Sequence, residues 1–251
     1  MSERSSIEWT NATWNPVTGC SKVSPGCAHC YAEAIDLRFK RSLKPWTPQN
    51  AAENVRLHAE RLEQPLGWRK PRMVFVNSMS DLFHERVPAA FIARVFDVMA
   101  RAPEHTFQIL TKRPERMRDL LVDGPPQAGL PNVWLGVSIE NRRFVDRADV
   151  LRRTPAAVRF ISAEPLLGPL DGLSLDGIDW LIVGGESGRR HRVMRPEWVR
   201  ELREVAAATG TAFFMKQMGG HRPGASLEDL PAEFQIRQMP ARVSSEELTL
   251  A

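Results

Sequence analysis

Cysteine is scarce in this chain and confined to one place: Cys20, Cys27 and Cys30 are the only three in 251 residues. An odd, clustered set does not make the paired framework of a small disulfide-stapled domain. It suits metal binding or thiol chemistry in a reducing compartment. Long apolar runs are missing as well. No stretch approaches the roughly 18 residues that a membrane helix requires, and Met1-Ser2-Glu3-Arg4-Ser5-Ser6 lacks the apolar centre of a signal peptide. The expectation is a cytoplasmic protein with no membrane partner. Rossmann and P-loop fingerprints are absent, which removes the usual grounds for inferring a dinucleotide or nucleoside triphosphate. There is no low-complexity segment, no domain linker and no second cysteine group that could hold an auxiliary cluster. Charge of either sign is not in great excess. The net +4 and isoelectric point near 9.2 lean toward a polyanionic partner without deciding for one.

What the chain does have is a repeated pattern from residue 73 onward. Short apolar, β-branched or aromatic runs occur at 73–77, 106–110, 133–137, 158–161, 180–183 and 212–215. Each ends in small or polar residues, and an amphipathic stretch usually follows. The spacing of 22 to 33 residues is that of a βα unit. Near-continuous apolar runs fit strands buried on both faces of a parallel sheet. Helices are predicted at 88–101 and 196–209. An earlier strand is expected within 7–17, with its helix beginning near Cys27. The reading is an α/β fold: a parallel (βα)-repeat barrel, partial or irregular and TIM-like, with an open doubly wound sheet as the second choice. Residues 1–240 are expected to form one domain, interrupted by a proline-broken insertion at about 42–72 with a helical piece at 51–62, and 241–251 to form a flexible tail.

In either fold the carboxyl ends of the strands build the site. Those ends carry Asn77-Ser78-Met79-Ser80-Asp81, Thr111-Lys112-Arg113, Ser138-Ile139-Glu140, Ser162-Ala163-Glu164, Gly184-Gly185-Glu186 and Lys216-Gln217. Glu140, Glu164 and Glu186 hold equivalent places in three consecutive units. Gly184-Gly185 would let backbone amides approach a ligand. Loops are polar in any case and helix starts favour Ser, Asp and Glu, so the argument rests on the set and not on one member.

The cysteines are spaced C-x6-C-x2-C, with Ser24-Pro25-Gly26 as the turn that brings Cys20 back to the other two. Three thiolates on a [4Fe–4S] cube leave one iron without a protein ligand. Zinc is the alternative, with His29 or His191 completing a Cys3His set, and three unrelated buried thiols the blander one. Tyr31, the sole tyrosine, reads as packing at its helix start.

Cys27-Ala28-His29-Cys30, after Cys20 and a first strand, resembles the radical S-adenosylmethionine superfamily. There the usual motif is C-x3-C-x-φ-C; His29 stands at φ, and the first spacer here is six residues instead of three. More closely, the chain resembles a phage and bacterial three-cysteine-motif family of unknown function. The matching stretches are 14–20, 24–32, 78–83, 110–114, 136–140 and 184–188. The resemblance implies a [4Fe–4S] cluster on Cys20, Cys27 and Cys30. S-adenosylmethionine would bind its open iron, an external donor would reduce it, and a 5′-deoxyadenosyl radical would abstract hydrogen from a substrate. Cofactor contacts are expected from Ser78, Ser80 and Asp81, from Ser138 and Glu140, and from Lys112, Glu164 and Glu186; no catalytic residue is assigned. Arginine-rich loops around the mouth, with Trp46 and Trp68 to stack on bases, would suit a nucleic acid or nucleotide substrate. Against this stand a zinc- or Fe–S-stabilised nucleic-acid-binding protein without catalysis and a redox-sensing Fe–S protein. An anion-binding surface has no use for three converging glutamates. The sequence carries no sign of oligomeric state.

Overall fold

The first strand is short, β1 (Ala12–Trp14), and is followed by β2 (Val17–Thr18), the helix α1 (Tyr31–Arg38), α2 (Ala51–Asn54) and β3 (Arg56–Leu57). The repeats then run β4 (Met73–Val76), α3 (Ala89–Ala100), β5 (Thr106–Thr111), α4 (Pro114–Val122), β6 (Val133–Ser138), α5 (Arg147–Arg152), β7 (Val158–Ala163), β8 (Trp180–Gly184), α6 (Pro196–Thr209) and β9 (Ala212–Gln217). This is a computed structural model that describes residues 5, 7–124, 128–221, 224 and 227–240; the expected tail at 241–251 lies outside them.

The main sheet has the order β1-β4-β5-β6-β7-β8-β9, every neighbouring pair parallel. Seven sequential strands curl into a half-barrel, the partial TIM-like α/β fold that the repeat spacing predicts. β2 and β3 pair antiparallel outside it. The insertion differs from expectation. Its helix stops at Asn54, whose side-chain amide donates to the Lys44 and Pro45 carbonyls, and the chain then extends to pair β3 with β2. The β7–β8 connection contains no helix. Prolines and glycines at 165, 168, 169, 172 and 177 break it, and Leu166, Leu170, Leu173, Leu175 and Ile178 are buried against the sheet instead.

Alternation along the strands sorts the side chains into two cores. One set, such as Val74, Phe107, Leu135, Ile161 and Leu181, meets the helices. The other set fills the concave face with Trp9, Phe75, Trp134, Phe160, Trp180 and Phe214. Trp180 is the centre of this plug, edge-on to Trp9, Trp134 and Phe214 with centroids 5.8–6.2 Å away, the arrangement that the ring quadrupole favours. Toward the carboxyl ends the same positions turn polar: Lys112, Ser138, Ser162, Glu164 and Lys216. The aromatic floor thus leaves a polar upper cavity. Among the described residues no helix is long and apolar enough to cross a membrane.

Candidate functional site

The cysteine segment leaves β2 through Gly19, which has φ +81° and donates its N–H to the Met79 carbonyl at 2.9 Å. A Cβ there would lie 1.9 Å from the Asn54 carbonyl oxygen, so both conformation and space demand glycine. A 3-10 turn at Pro25–Cys27 reverses the chain, and Cys30 sits at the N-terminus of α1. Cys20, Cys27 and Cys30 line one cavity with Asn77, Ser78, Ser80, Asp81, Lys112 and Ser138. Burial and the charge of Asp81 push the Cys20 thiol up to about 12; burial also raises Cys30, opposed by the Glu33 and Ala32 amides of the helix start. The charges of Cys27 and Cys30 raise Cys20 further, and that of Cys27 raises Cys30. A bound metal group reverses such shifts and takes the thiols as thiolates.

The donor set decides what could fit. Among the described residues no three His, Cys, Asp or Glu side chains converge on a single metal ion. Ligands of one tetrahedral zinc, at about 2.3 Å from the metal, lie within about 4 Å of each other. Thiolates on three different irons of a cube stand further apart. Three cysteine thiols lining one cavity are the donor chemistry that an iron–sulfur cluster uses. His29 binds Glu186 Oε2 through Nδ1 at 2.9 Å and His191 binds the Gly188 carbonyl through Nδ1 at 2.9 Å, contacts that engage one nitrogen of each ring only.

Three strand ends clamp the cysteine segment. From the β5 end, Arg113 donates to Ser21 O and Oγ, each at 3.2 Å, and to Cys20 Sγ at 3.7 Å. It is itself held by Asp81 at 3.1 Å and Glu85 at 2.8 Å. From the β6 end, Glu140 accepts a hydrogen bond from Ser24 Oγ and pairs with Arg147 at 3.2 Å. From the β8 end, Glu186 binds His29 and Arg192, whose Nη2 also reaches the Pro25 carbonyl at 3.1 Å. Of the expected cofactor residues, Glu140 and Glu186 bind the loop directly and Asp81 holds it through Arg113. Glu140 has no exposed surface and does not line either cavity of the site. Asp81 lines the first cavity, yet its carboxylate already accepts from Thr111, Lys112 N, Phe83 N and Arg113.

Burial pushes the Glu186 carboxyl up, but hydrogen bonds from Arg192 and His29 outweigh it and hold the group down to about 2. A depressed carboxyl adds stability above its ordinary range and loses it as pH falls through the folded value. Glu186→Gln is expected to cost on the order of 2 kcal/mol at pH 7. In urea titrations the gap from the parent protein closes between about pH 4.5 and pH 2. A gap independent of pH would mean that the carboxylate charge is not what holds the loop.

The first cavity continues into a second on the concave face. Cys30, Tyr31, Phe75, Leu110, Lys112 and Ser138 line both. The second adds Ser162, Glu164, Gly185, Glu186, Lys216 and Gln217. Here Glu164 pairs with Lys216 at 3.0 Å and accepts from Ser162 Oγ at 3.1 Å. Gly184 has a use other than amide presentation: a Cβ would stand 2.6 Å from Glu164 Oε1, so its absence makes room for that carboxylate. The Gly185 amide donates to Gln217 O. Tyr31 is half exposed at the junction of the two cavities, with its hydroxyl donating to the Ser78 carbonyl at 2.8 Å; it is more than helix packing. Ser78 Oγ exchanges hydrogen bonds with Asn15, and Ser80 Oγ donates to Val17 O. Of the expected contacts, Lys112, Ser138 and Glu164 keep polar groups on the cavity walls. Trp46 is buried and Trp68 packs against the core under Arg72, so neither is free to stack on a base. The sequence places Ser162 and Lys216 at strand ends without assigning either a contact, and gives no sign of Arg147. The period of two, placing Lys216 two residues beyond the inward Phe214, was the available signal.

The family model described as "Protein of unknown function (DUF5131)" matches residues 4–246. No curated protein matches. Among solved structures, a cysteine-to-serine mutant of spore photoproduct lyase aligns with a TM-score of 0.52 and 13% identity over 84% of this chain and 77% of that one. A tyrosine-to-phenylalanine mutant of the same enzyme gives a TM-score of 0.44 at 13% identity, covering 79% and 74%. The enzyme complexed with dinucleoside spore photoproduct gives 0.38 at 14%, covering 77% and 60%. At such identity the first of these is a likeness of fold.

Proposed function

The chain belongs to the DUF5131 family of proteins of unknown function, and from its site we propose that it is a radical S-adenosylmethionine enzyme acting on a nucleic acid or nucleotide. One observation carries the reading: three thiols share a cavity at the carboxyl ends of a half-barrel, and that cavity opens into a second, polar one on the concave face. Cys20, Cys27 and Cys30 would hold the [4Fe–4S] cluster. When bound and reduced, such a cluster with S-adenosylmethionine on its open iron supplies an electron that cleaves the sulfonium to methionine and a 5′-deoxyadenosyl radical. The chain's own part is to bind, orient and exclude side reactions. Lys112, Ser138, Glu164 and Lys216 would meet the charged and hydroxyl groups of S-adenosylmethionine and substrate; Ser78 and Ser80 line the cysteine side of the cavity. Asp81, Glu140 and Glu186 act through the loop, as positioning residues. Reduction needs an external one-electron donor, since the three cysteines form a single group.

A purely binding protein stabilised by metal would have no need of the Glu164–Lys216 pair facing inward from an aromatic floor. The test is anaerobic incubation of the iron- and sulfide-reconstituted protein with dithionite and S-adenosylmethionine. Formation of 5′-deoxyadenosine over the cluster-free control is expected. None at full iron loading would leave the metal-stabilised binding protein as the better account.

A further inference from the structure

On the flank of the half-barrel, away from the aromatic floor, lies a separate cavity of about 440 Å³ lined by Thr18, Asp36, Lys40, Arg41, Asn54, Arg56, His58 and Arg61. Its walls come from the end of α1, from β2 and from the insertion. Four of those residues are lysine or arginine. Lys40, Arg41 and Arg56 are exposed and have no carboxylate partner among the described residues, whereas most arginines at the clamp are paired. The nearby acids are engaged: buried Asp36 accepts from Trp46 Nε1 at 3.3 Å, and Glu60 meets His58 at 3.2 Å and Arg61 at 3.4 Å. Burial and the charge of Arg61 lower the His58 pKa, so at neutral pH its ring is uncharged and hydrogen-bonds Thr18 Oγ1 at 2.8 Å. On the rim, Phe39 is 61% exposed, with the guanidinium groups of Arg38 and Arg41 5.8 and 5.4 Å from its ring centre. Unpaired cations around a polar cavity beside an open aromatic ring form a surface for alternating phosphates and bases.

We propose that this cavity docks the phosphodiester backbone of a single nucleic-acid strand, with Phe39 as a stacking platform, and that it delivers the strand to the cysteine cavity. The inference rests on the nucleic-acid reading of the site and deepens it. The two cavities share their scaffolding. Thr18 lies two residues before Cys20, and Asn54 seats Gly19. α1 begins at the residue after Cys30 and ends just before Phe39, eight residues that span about 12 Å at 1.5 Å each. A strand held at the end of α1 covers that distance in no more than about four nucleotides, since about 3.4 Å per phosphate is the stacked duplex rise and an unstacked strand extends further. Charge anchors the strand without reading its sequence, while the concave cavity would choose the base.

The experiment uses the full chain and a fluorescein-labelled mixed-sequence 12-nucleotide strand, as DNA and as RNA, followed by anisotropy at several salt concentrations. The Arg41→Gln/Arg56→Gln double variant is expected to bind at least about tenfold more weakly at 50 mM salt. Its log-affinity against log-salt slope should be about 1.4 smaller, since each phosphate contact to a single strand contributes about 0.7. Phe39→Ala should weaken binding about tenfold with the slope unchanged. Formation of 5′-deoxyadenosine without substrate should be the same in parent and variants, which separates docking from the radical chemistry. Equal binding by parent and double variant overturns this cavity as the dock but leaves the substrate class standing. Failure of the parent to bind either strand overturns both. Displacement by 1 mM inorganic phosphate as complete as by unlabelled strand would make it a small-anion site and overturn the dock.

Discussion

Cys30→Ala is expected to reduce iron in the reconstituted protein from about four atoms per chain to near zero and to abolish 5′-deoxyadenosine formation. The same result is expected at Cys20 and Cys27, because in the proposed cluster each thiolate would serve a different iron and no fourth cysteine can substitute. The fold itself should survive. Cys30 makes no side-chain capping hydrogen bond at the start of the eight-residue α1, so its truncation leaves the helix intact, and the loop keeps its clamps from Arg113, Glu140 and Glu186. Far-UV circular dichroism should match the parent while the charge-transfer absorbance near 400 nm disappears, roughly as for other cluster losses. A variant that retains a full cluster would remove Cys30 from the ligand set. One that binds a single zinc would return the tetrahedral reading.

Arg113→Leu has the second largest expected effect, and it falls on stability and on the cluster together. The guanidinium is 6% exposed and links Asp81, Glu85, Ser21 and Cys20. Removing it leaves the Asp81 carboxylate buried without its cation, a change that typically costs about 3–5 kcal/mol. For a chain of this size each kcal/mol lowers Tm by roughly 2–4 °C, so a fall of about 10 °C is expected. Arg113→Lys restores the charge but not the fork of donors that reaches four partners. It should recover part of the Tm and less of the iron loading. If both variants load iron like the parent, the clamp from the β5 end is dispensable for the metal group.

The half-barrel was legible because buried parallel strands write themselves as apolar runs at βα spacing. The boundaries from β4 to β9 fall within two residues of the predicted runs, and 196–209 coincides with α6. Two elements were not legible. The β7–β8 crossover covers the sheet with leucines in a loop, which has no helical period to detect. The insertion ends its helix at Asn54 because of a hydrogen-bond network with the Lys44 and Pro45 carbonyls and because β3 finds β2, a partner nearly 40 residues earlier. At the site, the sequence placed polar and charged residues at the strand ends. It could not say which of them face the cavity and which bind the loop. Glu140 and Glu164 both follow a strand two residues after a serine, yet one is sealed under Ser24 and Arg147 and the other lines the concave wall beside Lys216. That difference depends on where the cysteine segment lies across the barrel mouth, over the β6 end and clear of Glu164. Only the folded arrangement fixes it.

The clamp also explains how one loop can present three thiols at once. Arg113, Glu140 and Glu186 reach it from the ends of β5, β6 and β8, so the rigid sheet holds the shape that the turn at Pro25–Cys27 begins. A ligand set built on such elements is pre-organised, which lowers the ordering that a cluster must impose when it binds.

The most direct measurement is the electron paramagnetic resonance spectrum of the reduced, anaerobically reconstituted protein, recorded with and without S-adenosylmethionine. A [4Fe–4S]⁺ signal whose g values shift on adding S-adenosylmethionine, and which is absent from Cys30→Ala, is the predicted result and places the cofactor on the open iron. A cluster signal indifferent to S-adenosylmethionine, or a colourless protein holding one zinc, would contradict the radical reading.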